Sequence, residues 1–326
     1  MGRPYCVTFC VEPYLSGGRV DSFLSKHLRN YTDWRIARMV SAGAARIRGE
    51  QIPLTRRVFT GEEVTIDLIE PPDKLLDPEA FPLRIVFEDA WLLVIDKQPG
   101  VIAHPTGAMQ NGTLCNFVQN YLDETGPIKG LIRPGIVHRL DRQTSGLIVL
   151  AKEHLAHREL SVAFQAHRIS KTYLAIVEGV MKNDEGSIDL PIGRDNWKGH
   201  MLMSTKANTV DRKPAKTRYQ VIERYPKHTL VAATPMTGRN HQIRVHLSSI
   251  GHPLVADAFY DAFGKFKSLD WPGDPLLKEF ESFFPHDRHA LHAAKLAFGH
   301  PITGTWMEFE AGLPGDLLAV RELLKK

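Results

Sequence analysis

The residues best suited to chemistry lie between Gly135 and Lys152, in the run GIVHRLDRQTSGLIVLAK. Apolar Ile136 and Val137 lead into His138-Arg139-Leu140-Asp141. A polar turn follows from Arg142 to Gly146, and a second apolar run covers Leu147 to Leu150. The pattern predicts strand, loop and strand, with Asp141 on the loop between two arginines. A loop carried on paired strands holds a side chain precisely and keeps it reachable. Neighbouring guanidinium groups keep a carboxylate ionised, and an ionised carboxylate serves as nucleophile or base. The plain alternative for the same residues is a turn whose Asp pairs with Arg142.

The elements that must position this loop belong to a long, mixed segment from about residue 83 to the end. Strands are expected over Arg84–Phe87, Leu92–Asp96, Leu147–Ala151, Thr172–Glu178, Thr217–Arg224, Thr229–Thr234, Ala294–Phe298 and Thr305–Glu310. Helices are expected over Thr113–Asp123, Glu153–Ala166, Asn240–Ile250 and Leu317–Leu324. In Glu153–Ala166 the apolar Ala156, Leu160, Ala163 and Phe164 share one face. Strands interleaved with helices and lacking a regular βαβ repeat predict an α+β domain with a mixed, largely antiparallel sheet.

Upstream, residues 17–70 read as a small module. Val20, Phe23, Leu24 and Leu28 recur at helical spacing, and Ile36, Met39 and Val40 make a second stripe that Gly43 closes. Short strands follow at Ala45 to Ile47 and Glu63 to Ile69. Between Gly17 and Arg57 stand nine Lys/Arg and three acids, a local excess larger than the net +4 of the whole chain. Such a concentration suits a polyanionic partner, or a solvated helix face. Pro71-Pro72 opens a linker, so the expected boundaries are 1–72, 73–82 and 83–326.

The 326 residues are 43% hydrophobic and 24% charged, ordinary for a globular chain, with pI about 8.9. Three cysteines (Cys6, Cys10, Cys115) argue against a disulfide framework and for a reducing cytoplasm. No run of about 20 apolar residues suits a membrane span, and the first residues do not read as a signal peptide.

The signature His138-Arg139-Leu140-Asp141-x-x-Thr144-Ser145-Gly146 resembles that of the RluA/RluD-type RNA pseudouridine synthases. The resemblance continues in order through Asp96-Lys97-Gln98-Pro99-Gly100 with His104-Pro105, then Lys171-Thr172-Tyr173-Leu174-Ala175, Leu190 to Arg194 and Lys213 to Thr217. It goes on through Thr237-Gly238-Arg239-Asn240-His241-Gln242-Ile243-Arg244-Val245-His246, Gly251-His252-Pro253, Ala290-Leu291-His292-Ala293 and His300-Pro301. It therefore covers nearly all of the chain beyond residue 83. The module before it resembles an S4 RNA-binding domain, through Gly18-Arg19-Val20-Asp21 and Phe23-Leu24. The likeness implies an isomerase that breaks the uridine N1–C1′ bond and rejoins the base through C5, with no cofactor and no metal. Its substrate is expected to be RNA, by analogy large-subunit ribosomal RNA, acted on by a monomer away from any membrane.

The same resemblance assigns roles. Asp141 is the catalytic carboxylate; attack on the sugar and removal of a ribose proton both remain open. Tyr173 is the active-site tyrosine that stacks on uracil, and Arg239 is the arginine expected to pair with Asp141. Arg139 is the wedge for a flipped-out nucleotide, and Ile243 lines the base pocket. His138, Thr144, Arg142 and Lys171 are expected at the substrate, and Arg19, Arg35, Arg38, Arg46 and Arg48 on the RNA side of the N-terminal module.

Three alternatives are weighed. His286, His289 and His292 are too awkwardly spaced for a metal set. An aspartic protease needs a second Asp loop. A non-catalytic RNA-binding or ribosome-assembly factor on the same fold would not need Asp141, Tyr173 and Arg239 together. Two departures stand out. The family's Gly-Asp…Tyr-Gly element reads Ala256-Asp257-Ala258-Phe259-Tyr260-Asp261, and the aromatic segment Phe263 to Asp287 is long.

Overall fold

The computed structural model describes residues 5–73, 75–107, 109–126, 128–267 and 288–325. Most of the segment Phe263 to Asp287, including Trp271, Phe280, Phe283, Phe284 and His286, lies outside these. In chain order the N-terminal module has β1 (Tyr5–Cys10), α1 (Val20–His27), α2 (Asp33–Ser41), β2 (Ala45–Ile47), β3 (Glu50–Gln51) and β4 (Glu63–Leu68). The larger part has β5 (Ile85–Glu88), β6 (Leu92–Lys97), α3 (Leu114–Thr125), β7 (Gly135–Ile136), β8 (Ser145–Ala151), α4 (His154–Gln165) and β9 (Ser170–Glu178). Then come β10 (Glu185–Asp189), β11 (Ile192–Trp197), β12 (His200–Ser204), β13 (Val210–Lys213), β14 (Lys216–Arg224) and β15 (His228–Pro235). The chain ends with α5 (Gln242–Ser249), β16 (Leu291–Gly299), β17 (Trp306–Glu310) and α6 (Gly315–Leu324).

In the N-terminal module the two apolar stripes read from sequence meet. Val20, Phe23 and Leu24 of α1 and Ile36, Met39 and Val40 of α2 are buried with Val64 and Ile66 of β4. Thr32 caps α2 by accepting from the Arg35 amide at 3.3 Å. The sheet order is β1-β4-β2-β3. This unit is seated on the larger part. Ile128 and Leu131 pack on its core, Arg29 donates to the Arg133 carbonyl at 2.6 Å, and buried Asn30 donates to the Gly130 carbonyl at 2.8 Å. The Arg158 guanidinium of α4 lies 4.1 Å from the centre of the Tyr14 ring.

The larger part is built on a ten-stranded sheet, ordered β10-β14-β15-β9-β16-β8-β6-β5, with β17 added to β16 and β7 to β8. The β8–β16 pair is parallel and its other described pairings are antiparallel, so the mixed, largely antiparallel α+β reading holds. Both faces are covered, which is why β8 reads as a continuous apolar run. Ile148 and Leu150 face a core shared with α3 and α5, whereas Leu147, Val149 and Ala151 face α4. Every expected strand and helix of this part is present within a few residues. A separate three-stranded sheet, β12-β11-β13, was not anticipated, because its strands are short and β13 is wholly exposed.

At the parallel seam the sheet closes so tightly that a side chain has no place. Gly146 has φ 109, and a Cβ there would stand 2.3 Å from the Ala293 carbonyl oxygen. Gly146→Ala should therefore cost about 3 kcal/mol or more, from backbone strain and overpacking together. A thermal melt of the variant within a degree or two of wild type would contradict this.

Candidate active site

Asp141 sits on the loop between β7 and β8, as the pattern of polar and apolar residues requires. The Thr144 amide donates to the Asp141 carbonyl at 3.0 Å and closes the turn. The loop is clamped from below by Lys97 at the end of β6. Its buried ammonium donates to the carbonyls of Gln98, Val101 and Arg142 at 2.9, 3.0 and 3.2 Å. The Gly100 amide also donates to the Arg142 carbonyl at 2.9 Å, and Arg142 Nε donates back to the Gly100 carbonyl at 3.1 Å. Burial, with Arg288 nearby, brings the Lys97 amine down to about 7.

The partner of Asp141 comes from α5. Arg244 Nη1 donates to Asp141 Oδ2 at 3.2 Å. The rest of its guanidinium is gripped by Asp257, with Nε to Oδ2 at 2.7 Å and Nη2 to Oδ1 at 2.8 Å. Asp257 is fully buried, and its Oδ1 also accepts from the amides of Phe259 and Tyr260. The Tyr260 ring lies 5.0 Å from the guanidinium carbon. Arg244 is thus a bridge between an inner carboxylate that fixes it and an outer one that remains 23% exposed. The helix bearing it is pinned by Gln242. Gln242 Oε1 accepts from Thr237 Oγ1 and the Arg239 amide, and Nε2 donates to Lys216 O and Thr217 Oγ1.

The charges around Asp141 follow from this. Burial opposes its ionisation, but His241, Arg244 and His289 outweigh that and hold its carboxyl below the ordinary range. Two of these groups, however, are uncharged at neutral pH. Burial, then Arg244, brings His241 down to about 4, and burial, then Arg244, brings His289 down to about 3. Arg244 is therefore the standing counter-charge. The Tyr260 hydroxyl accepts from the Met203 amide and lies 2.8 Å from His241 Nδ1. His241 Nε2 is 4.0 Å from Asp141 Oδ2.

Asp141 opens into a cleft of about 1250 Å³. Six Lys/Arg line it (Arg139, Arg142, Arg168, Lys171, Arg239, Arg244) against one carboxylate, Asp141 itself. Tyr173 and Ile243 line a smaller recess beside Asp141 and are largely buried. Burial, and then the charge of Asp141, pushes the Tyr173 phenol well above its ordinary range, so it is protonated at neutral pH. Lys171 is lowered by burial and lies with its ammonium 5.6 Å from the Phe164 ring centre. Arg139 and Arg142 are exposed on the cleft wall.

Several expectations are corrected. Arg239 does not pair with Asp141. It precedes the helix, which starts at Gln242 and not at Asn240, and its Nε donates to the Pro214 carbonyl at 3.1 Å. His138 lines the cleft, but its Nε2 accepts from the Val149 amide at 3.0 Å and its ring stacks on Phe164. Burial takes it down to about 3, so it is a neutral support of the loop. Thr144 does line the smaller recess, but it is buried and shares its hydroxyl with His289 Nε2 at 2.8 Å. His292 bonds Ser145 and the Ala311 carbonyl, as a structural histidine would. Among the described residues no group of three or more His, Cys, Asp or Glu is arranged to hold a metal.

The charge excess of the N-terminal module is also smaller than counted. Arg19 pairs with Asp21, Arg35 with Asp73 and Glu70, Arg38 with Glu70, and Arg46 with Asp67. Three of these acids, Asp67, Glu70 and Asp73, lie beyond Arg57. Arg48 is exposed and, among the described residues, makes no ion pair. Asp257 and Arg244 were missed as site residues. Arg244 stood inside a quoted motif, and nothing in the spacing of residues 13 apart announces their fork.

Comparison with known proteins places this geometry in a family. Residues 91–249 match the family model described as RNA pseudouridylate synthase. An uncharacterized RNA pseudouridine synthase of Bacillus subtilis, YlyB, is 35% identical over 308 residues, 94% of each chain. The ribosomal large subunit pseudouridine synthase D of Pseudomonas aeruginosa is 36% identical, covering 96% of this chain and 93% of its own. The solved structure of human RNA pseudouridylate synthase domain containing 1 aligns with a TM-score of 0.53 at 26% identity, over 76% of this chain and 87% of that one. The chain belongs to the RNA pseudouridylate synthases. It is an isomerase that converts uridine to pseudouridine in RNA.

Replacing Arg244 by Gln together with Asp257 by Asn removes the counter-charge without stranding a buried ion. Wild-type Asp141 has a depressed pKa, so its anion is lost only as pH falls through that low value. In the double variant the pKa rises, and the acid limb of the pH–rate profile should move to higher pH while activity at neutral pH drops on the order of a hundredfold. An unmoved acid limb in a pseudouridine-formation assay would show that Arg244 does not set this charge.

Proposed function

We propose that the chain isomerises uridines of large-subunit ribosomal RNA, with Asp141 acting on a nucleotide flipped into the recess beside Tyr173. The single observation that carries this is the Arg244 bridge, which presents one ionised, solvent-reachable carboxylate at the floor of a cationic cleft. The reaction needs no net reagent. The C1′–N1 bond breaks and C1′–C5 forms; C5 gives up its proton and N1 gains one. Attack on the sugar and removal of a ribose proton both begin from an ionised Asp141.

In this reading Tyr173 stacks on the uracil and Ile243 closes the recess wall. Arg139, exposed on the adjoining loop, fills the gap left in the RNA. Arg142, Lys171 and Arg239 meet phosphates, which position the RNA without reading its sequence. His138 and Thr144 support the loop. The N-terminal module, residues 1–72, is an S4-like second RNA contact centred on Arg48, joined through 73–82 to the catalytic domain 83–326. The protein works as a monomer in the cytoplasm and requires neither cofactor nor metal.

The test is Asp141→Asn on unmodified large-subunit ribosomal RNA transcript carrying tritium at uracil C5. Tritium release and pseudouridine should fall at least ~10⁴-fold, while RNA affinity stays within about threefold, since one small uncharged substitution leaves the phosphate contacts intact. Residual activity near wild type would remove Asp141 from the mechanism.

A further inference from the structure

The cleft holds one feature that uridine isomerisation at Asp141 does not use. Trp306, the first residue of β17, lines the same cleft as Asp141 and is 55% exposed. Its backbone is fixed by pairing with Gly299 of β16, and its Nε1 donates to Glu308 Oε1 at 2.7 Å. These contacts hold the indole by its edge and its main chain.

Trp306 contributes little to the core. Along β17 the residues alternate, and Phe309 is the one that packs against Phe87 and Phe298. Trp34, the other strongly exposed tryptophan among the described residues, already carries the Arg38 guanidinium at 4.3 Å from its ring centre, whereas among these residues no cation is stacked on Trp306. Lining the same cleft is the turn between α4 and β9, with His167 and Arg168 exposed and Arg168 in no ion pair among the described residues. A fixed aromatic plane and an unpaired cation in one cleft are what a single-stranded nucleic acid engages, the ring taking a base and the cation a phosphate. A base inside a duplex offers no free face.

We propose that Trp306 is the stacking platform for an unpaired nucleotide flanking the flipped uridine, and that it selects substrates whose target lies in a loop or bulge. This rests on the functional reading above and adds the class of RNA structure to it.

The test compares wild type with Trp306→Phe and Trp306→Leu on the unmodified large-subunit transcript. Leu keeps apolar bulk and loses the π-face, so KM for the RNA should rise on the order of tenfold with kcat within about twofold, while Phe stays within about threefold of wild type. Wild-type tryptophan emission should also be quenched by RNA more than that of Trp306→Phe. The inference is overturned if Trp306→Leu matches wild type in KM. It is overturned equally if Phe and Leu lose kcat and melting temperature together, which marks a packing role. If wild type forms no pseudouridine in this RNA, the choice of substrate fails instead. The dissociation constants of the same three proteins for the transcript then decide the stacking role, with equal values for Leu and wild type ruling it out.

Discussion

A permanent cation held between two carboxylates of unequal burial is the constraint on which this site depends. Burying a guanidinium is costly unless its donors are met, and Asp257 meets them with a two-pronged grip. With that grip made, Nη1 is aimed and cannot follow Asp141 if the outer carboxylate moves toward a substrate. A single Arg–Asp pair would lack this property, since each partner would orient only the other. The inner carboxylate supplies the geometry and the outer one is left free to react. The acids are distinguished by surroundings alone: Asp257 is wholly buried among amide donors, and Asp141 keeps a face to the cleft.

The same logic organises the loop beneath. Residues 138–146 carry few apolar side chains, so hydrophobic packing alone cannot hold them. Polar groups do so from three directions. Lys97 draws carbonyls together, His289 and His292 hold Thr144 and Ser145, and Arg288 donates to the Gln143 carbonyl and Ser145. The histidines serve because burial keeps them neutral, which gives each ring one donor and one acceptor. Gly146 then lets β8 lie against β16, so the loop and the strand carrying His292 move as one piece.

The strands and helices of the sheet were legible in the amino-acid pattern because each must bury a face, and burial leaves a period. The site was legible only where a motif spoke. Asp141 and Tyr173 were found through their motifs, but the pairing arginine was misplaced by five residues. The resemblance gave that role to Arg239, but α5 starts only at Gln242, after His241 takes a left-handed conformation with φ 53, and Arg244 on the helix is the one that reaches Asp141. The departure at Ala256 is likewise explained by the backbone. Its φ of 61 is the left-handed geometry that a glycine adopts without strain. Asp257 itself carried no local signal, because its role exists only after α5 and the following turn fold together.

Charge distribution links the site to its substrate. The N-terminal module is rich in arginine, yet its acids beyond Arg57 fold back and pair with Arg35, Arg38, Arg46 and Arg56. In the cleft the opposite holds, with six cations and one carboxylate. A concave, low-dielectric wall of one sign concentrates polyanions and orients them before contact. The field that draws phosphates in also favours the ionised form of the carboxylate at its floor. Phosphates arriving in that field partly cancel it, so Asp141 requires a counter-charge that RNA does not reach. Arg244, only 5% exposed and locked to Asp257, meets that requirement, whereas the surface arginines of the cleft do not.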